Sequence, residues 1–398
     1  MHHIGSGEGG IRTHGTVSRS GAFKAPALVH YATSPGGPGW IPRGRGAAPT
    51  PSKAQPRAGA ILPWSSLTLW HAEPVRASVA TEPGGPEVLQ IREVDAPDAG
   101  AGQILIRVVA AGVNRADLLQ RQGHYPPPPG ASPILGLEVS GQVAALGDGV
   151  TGWRVDDACV ALLAGGGYAE LVAVPAGQVL VPPAGLDLVT AGGVIEAAAT
   201  VYTNLDRVGL RAGEVFLVHG GSGGIGAYAI QYAKAIGATV ITTAGRQDKI
   251  DFCRSIGADH ALWYREDWPT AVKDITNGRG VDVILDNMGA KYLEDHVRLL
   301  ATGGRLAVIG MQGGSKGVLD LAALFARRAS ISASSLRARP IAEKSDICRA
   351  VAEHVWPLIK TGLIRPPPQT TYPLAEAASA HAHLESGDNI GKIILTVA

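Results

Sequence analysis

A short glycine-rich segment, residues 220–226, carries the clearest chemical signal in this sequence. It reads Gly-Gly-Ser-Gly-Gly-Ile-Gly, follows an apolar strand predicted over residues 214–219, and precedes a helix predicted over residues 224–236. In that setting glycines let the backbone turn sharply and approach a pyrophosphate, which the N–H groups at the helix start stabilise. A purely structural turn is the alternative. The G-x-G-x-x-G spacing predicts a dinucleotide site formed by Gly221, Ser222, Gly223, Gly224, Ile225 and Gly226.

The end of the next strand indicates which dinucleotide would bind. A site that prefers NAD carries Asp or Glu there, bound to the ribose 2′-hydroxyl. This strand ends at Ala244, and Gly245, Arg246 and Lys249 follow. Two cations would meet a 2′-phosphate, with charge-assisted hydrogen bonds contributing roughly 1.5–3 kcal/mol each, so the sequence predicts NADPH. Asp248 lies close enough to reduce this preference, although an acid at a helix N-terminus can point elsewhere. A pair of solvated surface cations is the alternative.

Alternating strands and helices must position this loop. The predicted strands cover residues 214–219, 238–243, 260–264, 281–286 and 305–310, and the predicted helices cover residues 224–236, 248–256, 270–277 and 292–301. Strands that are apolar throughout, such as residues 215–218, are typical of a parallel sheet covered on both faces. We therefore predict a doubly wound α/β domain over residues 200–335.

The segments on either side of this domain have another pattern. Residues 75–199 hold short apolar runs broken by Gly and Pro, which is typical of a mostly β domain. One helix is predicted from Leu188 to about Val208, across the domain boundary. Residues 336–398 hold mixed elements and end in a strand at residues 393–395.

Residues 1–74 differ from the rest in composition. They hold 12 Gly and 9 Pro, about 28% of the segment, which is within the range typical of low complexity. Seven Lys or Arg against two acids give them a charge of +5, which leaves −4 for residues 75–398 of a chain whose net charge is +1. The run from Gly7 to Gly15 resembles a peptide translated by mistake from a tRNA gene. We expect residues 1–74 to be an artefact of gene assignment; a real, disordered extension is the alternative.

Composition and spacing disfavour several classes of protein. The sequence has no run of about 18 apolar residues, so no transmembrane helix is predicted. A body of charge −4 disfavours nucleic-acid binding. Cys159, Cys253 and Cys348 lie far apart in the sequence and are too few for a Cys₄ zinc site. They form no disulfide framework, which is consistent with a reducing cytoplasm.

Five further stretches match the pattern of a known family: residues 83–87, 114–125, 127–132, 134–138 and 389–393. With them the chain resembles the medium-chain dehydrogenase/reductase superfamily, and within it the zinc-free quinone oxidoreductases. The resemblance covers roughly residues 75–398. It implies a GroES-like domain over residues 75–199, a Rossmann domain over residues 200–335, and the return of residues 336–398 to the first domain. It also implies a homodimer formed through the edge of the Rossmann sheet.

The chain departs from the zinc alcohol dehydrogenases of that superfamily. Their Gly-His-Glu signature is Gly136-Leu137-Glu138 here, and Asn114 stands near the position of their cysteine ligand. The resemblance therefore implies no metal, so that hydride transfer must proceed without a Lewis acid. This suits quinones, whose conjugated carbonyls accept hydride readily, and does not suit the oxidation of alcohols.

The resemblance also implies roles for individual side chains. Tyr125 would lie beside the nicotinamide, where its hydroxyl donates to the quinone oxygen or, alternatively, its ring is only a wall and solvent supplies the proton. Asn114 would polarise the acceptor carbonyl, unless it is a structural turn residue, and His219 is expected to pack in the core. The other implied cofactor contacts are Thr200, Gly310, Met311, Leu336 and Arg337 near the nicotinamide, Tyr264 near the adenosine phosphate, and Asn389.

These observations together predict a cytoplasmic, NADPH-dependent quinone reductase. Its partner would be a small-molecule quinone or another electrophilic acceptor. Two alternatives stay open: a zinc-free enoyl or enone reductase of the same superfamily, and a non-catalytic NADPH-binding redox sensor.

Overall fold

The computed structural model describes residues 73–397. The extension expected over residues 1–74 therefore lies outside the described residues, apart from its last two. No helix in the described part of the chain is long and apolar enough to cross a membrane.

The described residues form fifteen strands, numbered here in chain order. They are β1 (Val75–Ala80), β2 (Leu89–Val94), β3 (Gln103–Val113), β4 (Glu138–Leu146), β5 (Ala158–Leu162), β6 (Leu171–Pro175), β7 (Val179–Leu180), β8 (Val215–His219), β9 (Thr239–Ala244), β10 (His260–Trp263), β11 (Val281–Asp286), β12 (Leu300–Val308), β13 (Ser330–Ala333), β14 (Gln369–Pro373) and β15 (Lys392–Thr396).

Eleven α-helices lie between and around these strands of residues 73–397. They are α1 (Arg115–Arg121), α2 (Leu188–Ala191), α3 (Ile195–Val208), α4 (Gly224–Ile236), α5 (Gln247–Ser255), α6 (Trp268–Ile275), α7 (Leu293–Leu299), α8 (Leu321–Arg327), α9 (Ile341–His354), α10 (Trp356–Lys360) and α11 (Ala377–Ser386). Short 3₁₀ turns cover Pro86–Val88, Ala176–Gln178, Gly289–Tyr292 and Leu374–Glu376.

The first domain is built on a sheet with the strand order β14-β15-β3-β4-β5-β7, and β6 also pairs with β3. The long strand β3 alternates, so that Ile104, Ile106 and Val108 point into the core and are at most 3% exposed. The last strand, β15, lies antiparallel to β3 and parallel to β14. The C-terminal segment thus completes the sheet of the first domain.

The second domain is a doubly wound α/β fold, as the sequence predicted. Its six strands are all parallel in the order β10-β9-β8-β11-β12-β13. The central strands β8 and β11 bury Phe216, Leu217, Val283 and Ile284 completely, because helices cover both faces of the sheet. The strand order reverses between β8 and β11: successive strands run outward from β8 to β10 and then, on the other side, from β11 to β13. Ligands bind at the carboxyl ends of the strands at such a switch point.

The helix predicted from Leu188 to about Val208 is wrong as one element, because it is divided into α2 and α3. Residues 192–194 separate the two helices at the point where the chain passes closely over the first sheet. A Cβ atom on Gly192 would lie 2.8 Å from the Ala110 Cβ, and one on Gly193 would overlap the Ile394 side chain closely. Contact with β3 and β15 therefore overrides the helical pattern, and only glycine fits there.

Candidate functional site

The glycine-rich loop connects β8 to α4, with Gly223 as the residue that precedes the helix. A Cβ atom on Gly226 would lie 2.7 Å from the Gly221 Cα, and one on Gly221 would lie 2.8 Å from the Cys253 Sγ. These two glycines are therefore required by the packing of the turn. Gly223 and Gly224 instead line an open cleft, where the absence of side chains lets a ligand approach the backbone.

This cleft, called the cofactor cleft below, has a volume of about 580 Å³ and lies at the switch point of the sheet. The predicted site residues that line it are Asn114, Ser222, Gly223, Gly224, Ile225, Gly226, Gly245, Arg246, Lys249, Tyr264 and Asn389. The predicted residues Tyr125, Thr200, Gly221, Gly310, Met311, Leu336 and Arg337 are not among its lining residues. The structure thus brings to one cleft most of the residues predicted to contact the phosphates, the ribose and the adenosine, whereas most of those predicted to contact the nicotinamide do not line it.

The C-terminal segment borders the cofactor cleft, and one polar atom in the cleft has no partner among residues 73–397. The C-terminal segment docks on the phosphate loop, where the Gly391 N–H donates to the Ser222 carbonyl over 2.7 Å. Asn287 lines the cleft, and its Oδ1 is buried with no hydrogen-bond partner in the described part of the chain. A buried acceptor without a partner is costly, and a bound group with a hydrogen-bond donor would satisfy it.

The two cations predicted to meet a 2′-phosphate already have partners. Arg246 contacts the carboxylate of Asp248 at 2.9 Å and that of Asp388 at 2.6 Å, and Lys249 donates to the Gly387 carbonyl. Of the two orientations considered for Asp248, the structure has the one that faces Arg246, and its hydrogen bonds with Arg246 lower the pKa of this carboxyl group. A phosphate here would compete with two carboxylates for Arg246.

Asn114 belongs to a buried charged cluster rather than standing free in the cleft. Its Oδ1 accepts from the Lys392 ammonium over 2.6 Å, and its Nδ2 donates to Glu138 over 3.0 Å. Lys392 and Glu138 form an ion pair of 2.6 Å, in which both side chains are at most 5% exposed. The Asn114 N–H also donates to Asp117, which forms a capping box with Asn114 at the start of α1. Both ends of the Asn114 amide are thus engaged within the protein.

A line of hydrogen bonds extends from this cluster. Glu138 accepts from the backbone N–H of Glu196, and Glu196 accepts from the Thr200 hydroxyl over 3.2 Å. Asn204 donates to the Thr200 carbonyl and accepts from Ser334. Burial raises the pKa of Glu196 to about 7, although Lys392 opposes this rise. Near neutral pH this carboxyl group is therefore partly protonated.

Tyr125 lies near the far end of this line. Its hydroxyl is 3.2 Å from the Ser335 Oγ, and its ring lies 5.2 Å from the Arg337 guanidinium. Arg337 is buried and donates to the Gln120 side chain and to the carbonyls of Ala164 and Tyr125. Arg337 therefore holds the loop that carries Tyr125.

The remaining predicted nicotinamide contacts lie near the carboxyl ends of β11 to β13. Gly310 packs against the backbone of Asn287, where a Cβ atom would lie 2.9 Å from the Asn287 carbonyl oxygen. Met311 is exposed, and Leu336 is partly buried against the core.

His219 is buried, with its Nε2 only 2.8 Å from the His296 Nε2 and its Nδ1 2.9 Å from the Thr243 hydroxyl. It packs against Trp268 and Tyr292, so its expected role in packing agrees with these contacts. Burial lowers the pKa of both histidines, that of His296 to about 3. Both rings are therefore neutral under ordinary conditions.

The charged cluster does not fit a zinc ion. The Lys392 ammonium occupies the space between Glu138 and Asn114, Leu137 offers no ligand atom, and an amide is a poor zinc ligand beside imidazole and thiolate. No group of three or more His, Cys, Asp or Glu side chains suited to a metal ion is found among residues 73–397.

Sequence reasoning missed several residues of the site. Glu138 and Lys392 lie in the stretches 134–138 and 389–393, which match the family pattern. Their ion pair was missed because the two residues are more than 250 positions apart in the sequence. Asp117 had a local signal, because Asn114 and Asp117 have the spacing of a capping box. Asp388 had none, since only the fold of the C-terminal segment brings it to Arg246.

Comparisons with known proteins agree with this architecture. Residues 100–184 match the family described as alcohol dehydrogenase GroES-like domain, and residues 224–353 match the family described as zinc-binding dehydrogenase. The chain is 30% identical to a 2-haloacrylate reductase from Burkholderia sp., over 81% of this chain and 98% of that protein. A mycocerosic acid synthase-like polyketide synthase from Mycobacterium tuberculosis is 33% identical over 82% of this chain, but the chain spans only 16% of that protein's length.

A solved structure is also similar over nearly the whole described region. The quinone oxidoreductase of Escherichia coli in complex with NADPH has a TM-score of 0.72 and is 28% identical, covering 82% of this chain and 100% of that one. The GroES-like domain, the parallel dinucleotide-binding sheet and these relatives agree. The chain belongs to the medium-chain dehydrogenase/reductase superfamily, in its quinone oxidoreductase family.

Proposed function

We propose that this protein is an NADPH-dependent quinone oxidoreductase. The observation that carries the proposal is the Lys392–Glu138–Asn114 cluster beside the cofactor cleft, which fills the place of a metal site with an ion pair. When bound, NADPH supplies a hydride from its nicotinamide ring. An acceptor must then be reducible without a Lewis acid, and a quinone meets that condition because its carbonyls are conjugated.

The preference for NADPH is proposed to be moderate. Arg246 and Lys249 lie at the ribose end of the cleft, but Asp248 and Asp388 share Arg246. Part of the free energy of binding a 2′-phosphate is therefore offset by the loss of these two ion pairs. We expect a preference of about one to two decades in affinity over NADH, in line with the NADPH complex of the Escherichia coli relative.

Two groups of residues would act during turnover. Tyr125, with its hydroxyl beside Ser335, would hydrogen-bond the oxygen of the acceptor. The nicotinamide ring would extend beyond the cleft, where it would contact Thr200, Gly310, Met311 and Leu336.

A second candidate function is reduction of an activated C=C bond. It is supported by the 2-haloacrylate reductase, which matches this chain over nearly its full length. Both functions use the same cofactor cleft, so they differ only in the acceptor.

A homodimer is proposed through the edge strand β13. Helix α8 comes directly before this strand and has no buried residue, and its Leu321 and Phe325 are 68% and 85% exposed. Apolar side chains beside an unpaired strand edge suit pairing with a second copy. The three cysteines are buried and free, which suits the reducing cytoplasm proposed as the location.

The proposed function is tested by NADPH oxidation with 9,10-phenanthrenequinone, before and after exhaustive dialysis against EDTA. We expect turnover in both samples at the same rate, because no step requires a metal ion. Loss of quinone turnover after dialysis, with recovery on adding Zn²⁺, would refute the metal-free reaction.

A further inference from the structure

A second cavity of about 590 Å³ lies in the first domain and shares no lining residue with the cofactor cleft. Strand β6, the loop of residues 128–132, the loop of residues 163–166 and residues 337–341 form its walls. Much of its lining is apolar, including Ile134, Val172 and Val174. We call it the β6 cavity.

Lys344 lines the β6 cavity from the first turns of α9. Its side chain belongs to a residue only 2% exposed, and its ammonium makes no hydrogen bond or ion pair with any residue in the described part of the chain. The ammonium is not among the fully enclosed polar atoms of the described chain, so the small exposed part of Lys344 reaches the solvent of the cavity. Burial and the nearby Arg337 lower the pKa of Lys344 to about 8, so most of the side chain is still charged at neutral pH.

Gln178 is a second polar side chain without a partner in the same cavity. It is 3% exposed, and its side-chain amide makes no hydrogen bond to residues 73–397. The segments of Gln178 and Lys344 are in contact, since a Cβ atom on Gly177 would lie 2.7 Å from the Ser345 Cβ. Two polar side chains of neighbouring segments thus line one cavity.

The other charged groups around Lys344 also favour an anion. Arg337 and Arg339 line the cavity, and Asp95, its one lining acid in the described chain, is exposed. Behind Lys344, Glu196 acts in the other direction, because its negative charge raises the pKa of Lys344 and opposes the effect of Arg337. Arg337 connects the cavity to Tyr125, because the same guanidinium lies against the Tyr125 ring.

We infer that the β6 cavity binds an organic acid with an apolar body, whose carboxylate is held by Lys344 and Gln178. The carboxylate accepts hydrogen bonds from both side chains in place of solvent, and the apolar walls contact the rest of the molecule. Such an acid is either part of the acceptor or a separate effector. The site goes beyond the proposed function, because it includes no residue of the cofactor cleft.

The experiment is isothermal titration of the protein with benzoate and, as a neutral analogue, benzamide, with no cofactor or acceptor present. A charge-assisted hydrogen bond of ordinary strength predicts about a ten- to hundredfold weaker Kd for benzoate in Lys344→Met than in the wild type. Lys360→Met, an exposed lysine on α10, is the matched control and should bind like the wild type. Benzamide should bind equally weakly to all three.

A pH series separates a binding role from a structural one. Wild-type affinity for benzoate should fall between pH 7 and 9, as Lys344 loses its proton, whereas Lys344→Arg should bind with nearly constant affinity over this range. This comparison also holds if Lys344→Met does not fold. Equal benzoate affinity in the wild type and Lys344→Met, or benzamide binding as tight as benzoate, would overturn the inference.

Kinetics then distinguish the two sources of the acid. Benzoate that raises the KM for a quinone without changing kcat indicates that the carboxylate belongs to the acceptor. Benzoate that changes kcat alone indicates a separate effector. Either result supports the site if the effect of benzoate is lost in Lys344→Met. If the protein does not turn over a quinone, the benzoate titration still tests the site.

Discussion

At the scale of single residues, the charge on Lys392 holds the centre of the site together. Its ammonium is the partner of both Glu138 and Asn114, and all three side chains are buried. Breaking a buried ion pair by removing one partner leaves an uncompensated charge, which costs more than the pair itself contributes.

We therefore predict that Lys392→Met lowers the free energy of unfolding by about 3 kcal/mol, measured by urea denaturation. The double variant Lys392→Met/Glu138→Gln should recover part of this loss, because the unpaired carboxylate is then gone. Lys360→Met, on the surface of α10, serves as the control and should change little. A stable Lys392→Met protein would contradict the proposed role of the pair.

The partners of Arg246 lead to a second prediction. In Asp388→Asn, Arg246 loses one competing carboxylate, so a 2′-phosphate binds it more readily. An exposed ion pair contributes up to about 1 kcal/mol, so the KM for NADPH should fall by up to about fivefold. The KM for NADH should stay unchanged, as should both values in the control Asp346→Asn, whose acid pairs with Arg349 on α9. An equal change for both cofactors would show that Asp388 acts by another route.

The sequence predicted those parts of the site that depend on neighbours along the chain. The loop of residues 220–226 and the residues after β9 were found because turn, strand and helix follow one another directly. The pairs Lys392–Glu138 and Arg246–Asp388 were not found, because they join distant segments. No local sequence pattern indicates which charged residues will form ion pairs between distant segments.

At the scale of elements, most strands and helices follow the hydrophobic pattern. Helix α4 and strand β11 have the predicted bounds, since each is limited by glycine or by a clear change of period. The predicted helix over residues 188–208 is broken instead by contacts with β3 and β15, which lie far away in the sequence. Tertiary contact, not local propensity, decides such a position.

At the end of β8, His219 contacts His296 of helix α7, and this pair should make stability depend on pH. Both pKa values are lowered by burial, that of His296 to about 3 from 6.5. Between these values the unfolded chain binds protons that the folded chain does not, so the free energy of unfolding falls as pH falls below about 6.5. Asp286 acts in the opposite direction, because burial raises its pKa to about 6.

The variant His296→Gln removes one of the two imidazole rings that bind a proton on unfolding. The glutamine side-chain amide can still hydrogen-bond His219. The slope of the free energy of unfolding against pH should decrease by up to about 1.4 kcal/mol per pH unit between pH 6 and 4. Urea denaturation across this range measures it, with the exposed His124→Gln as control. Identical slopes in His296→Gln and the wild type would contradict this account, because they would show that His296 binds its proton equally well in the folded and unfolded protein.

At the scale of the whole molecule, the exposed face of α8 is expected to meet a second copy. We predict that Phe325→Glu converts a dimer to a monomer, because it places a charge among apolar side chains at the interface. Analytical ultracentrifugation measures the change, and Val155→Glu, at another exposed apolar residue, should remain dimeric. A wild-type protein that stays monomeric at high concentration would refute the proposed interface.

The central claim is that the protein uses the cofactor cleft and the charged cluster beside it to reduce a quinone. The most direct test is the ratio of kcat/KM for 9,10-phenanthrenequinone to kcat/KM for a crotonyl thioester, with NADPH as the reductant for both acceptors. We predict rapid NADPH oxidation with the quinone and a ratio well above one. Turnover of the thioester with none of the quinone would contradict the claim and assign the protein to the reduction of activated C=C bonds.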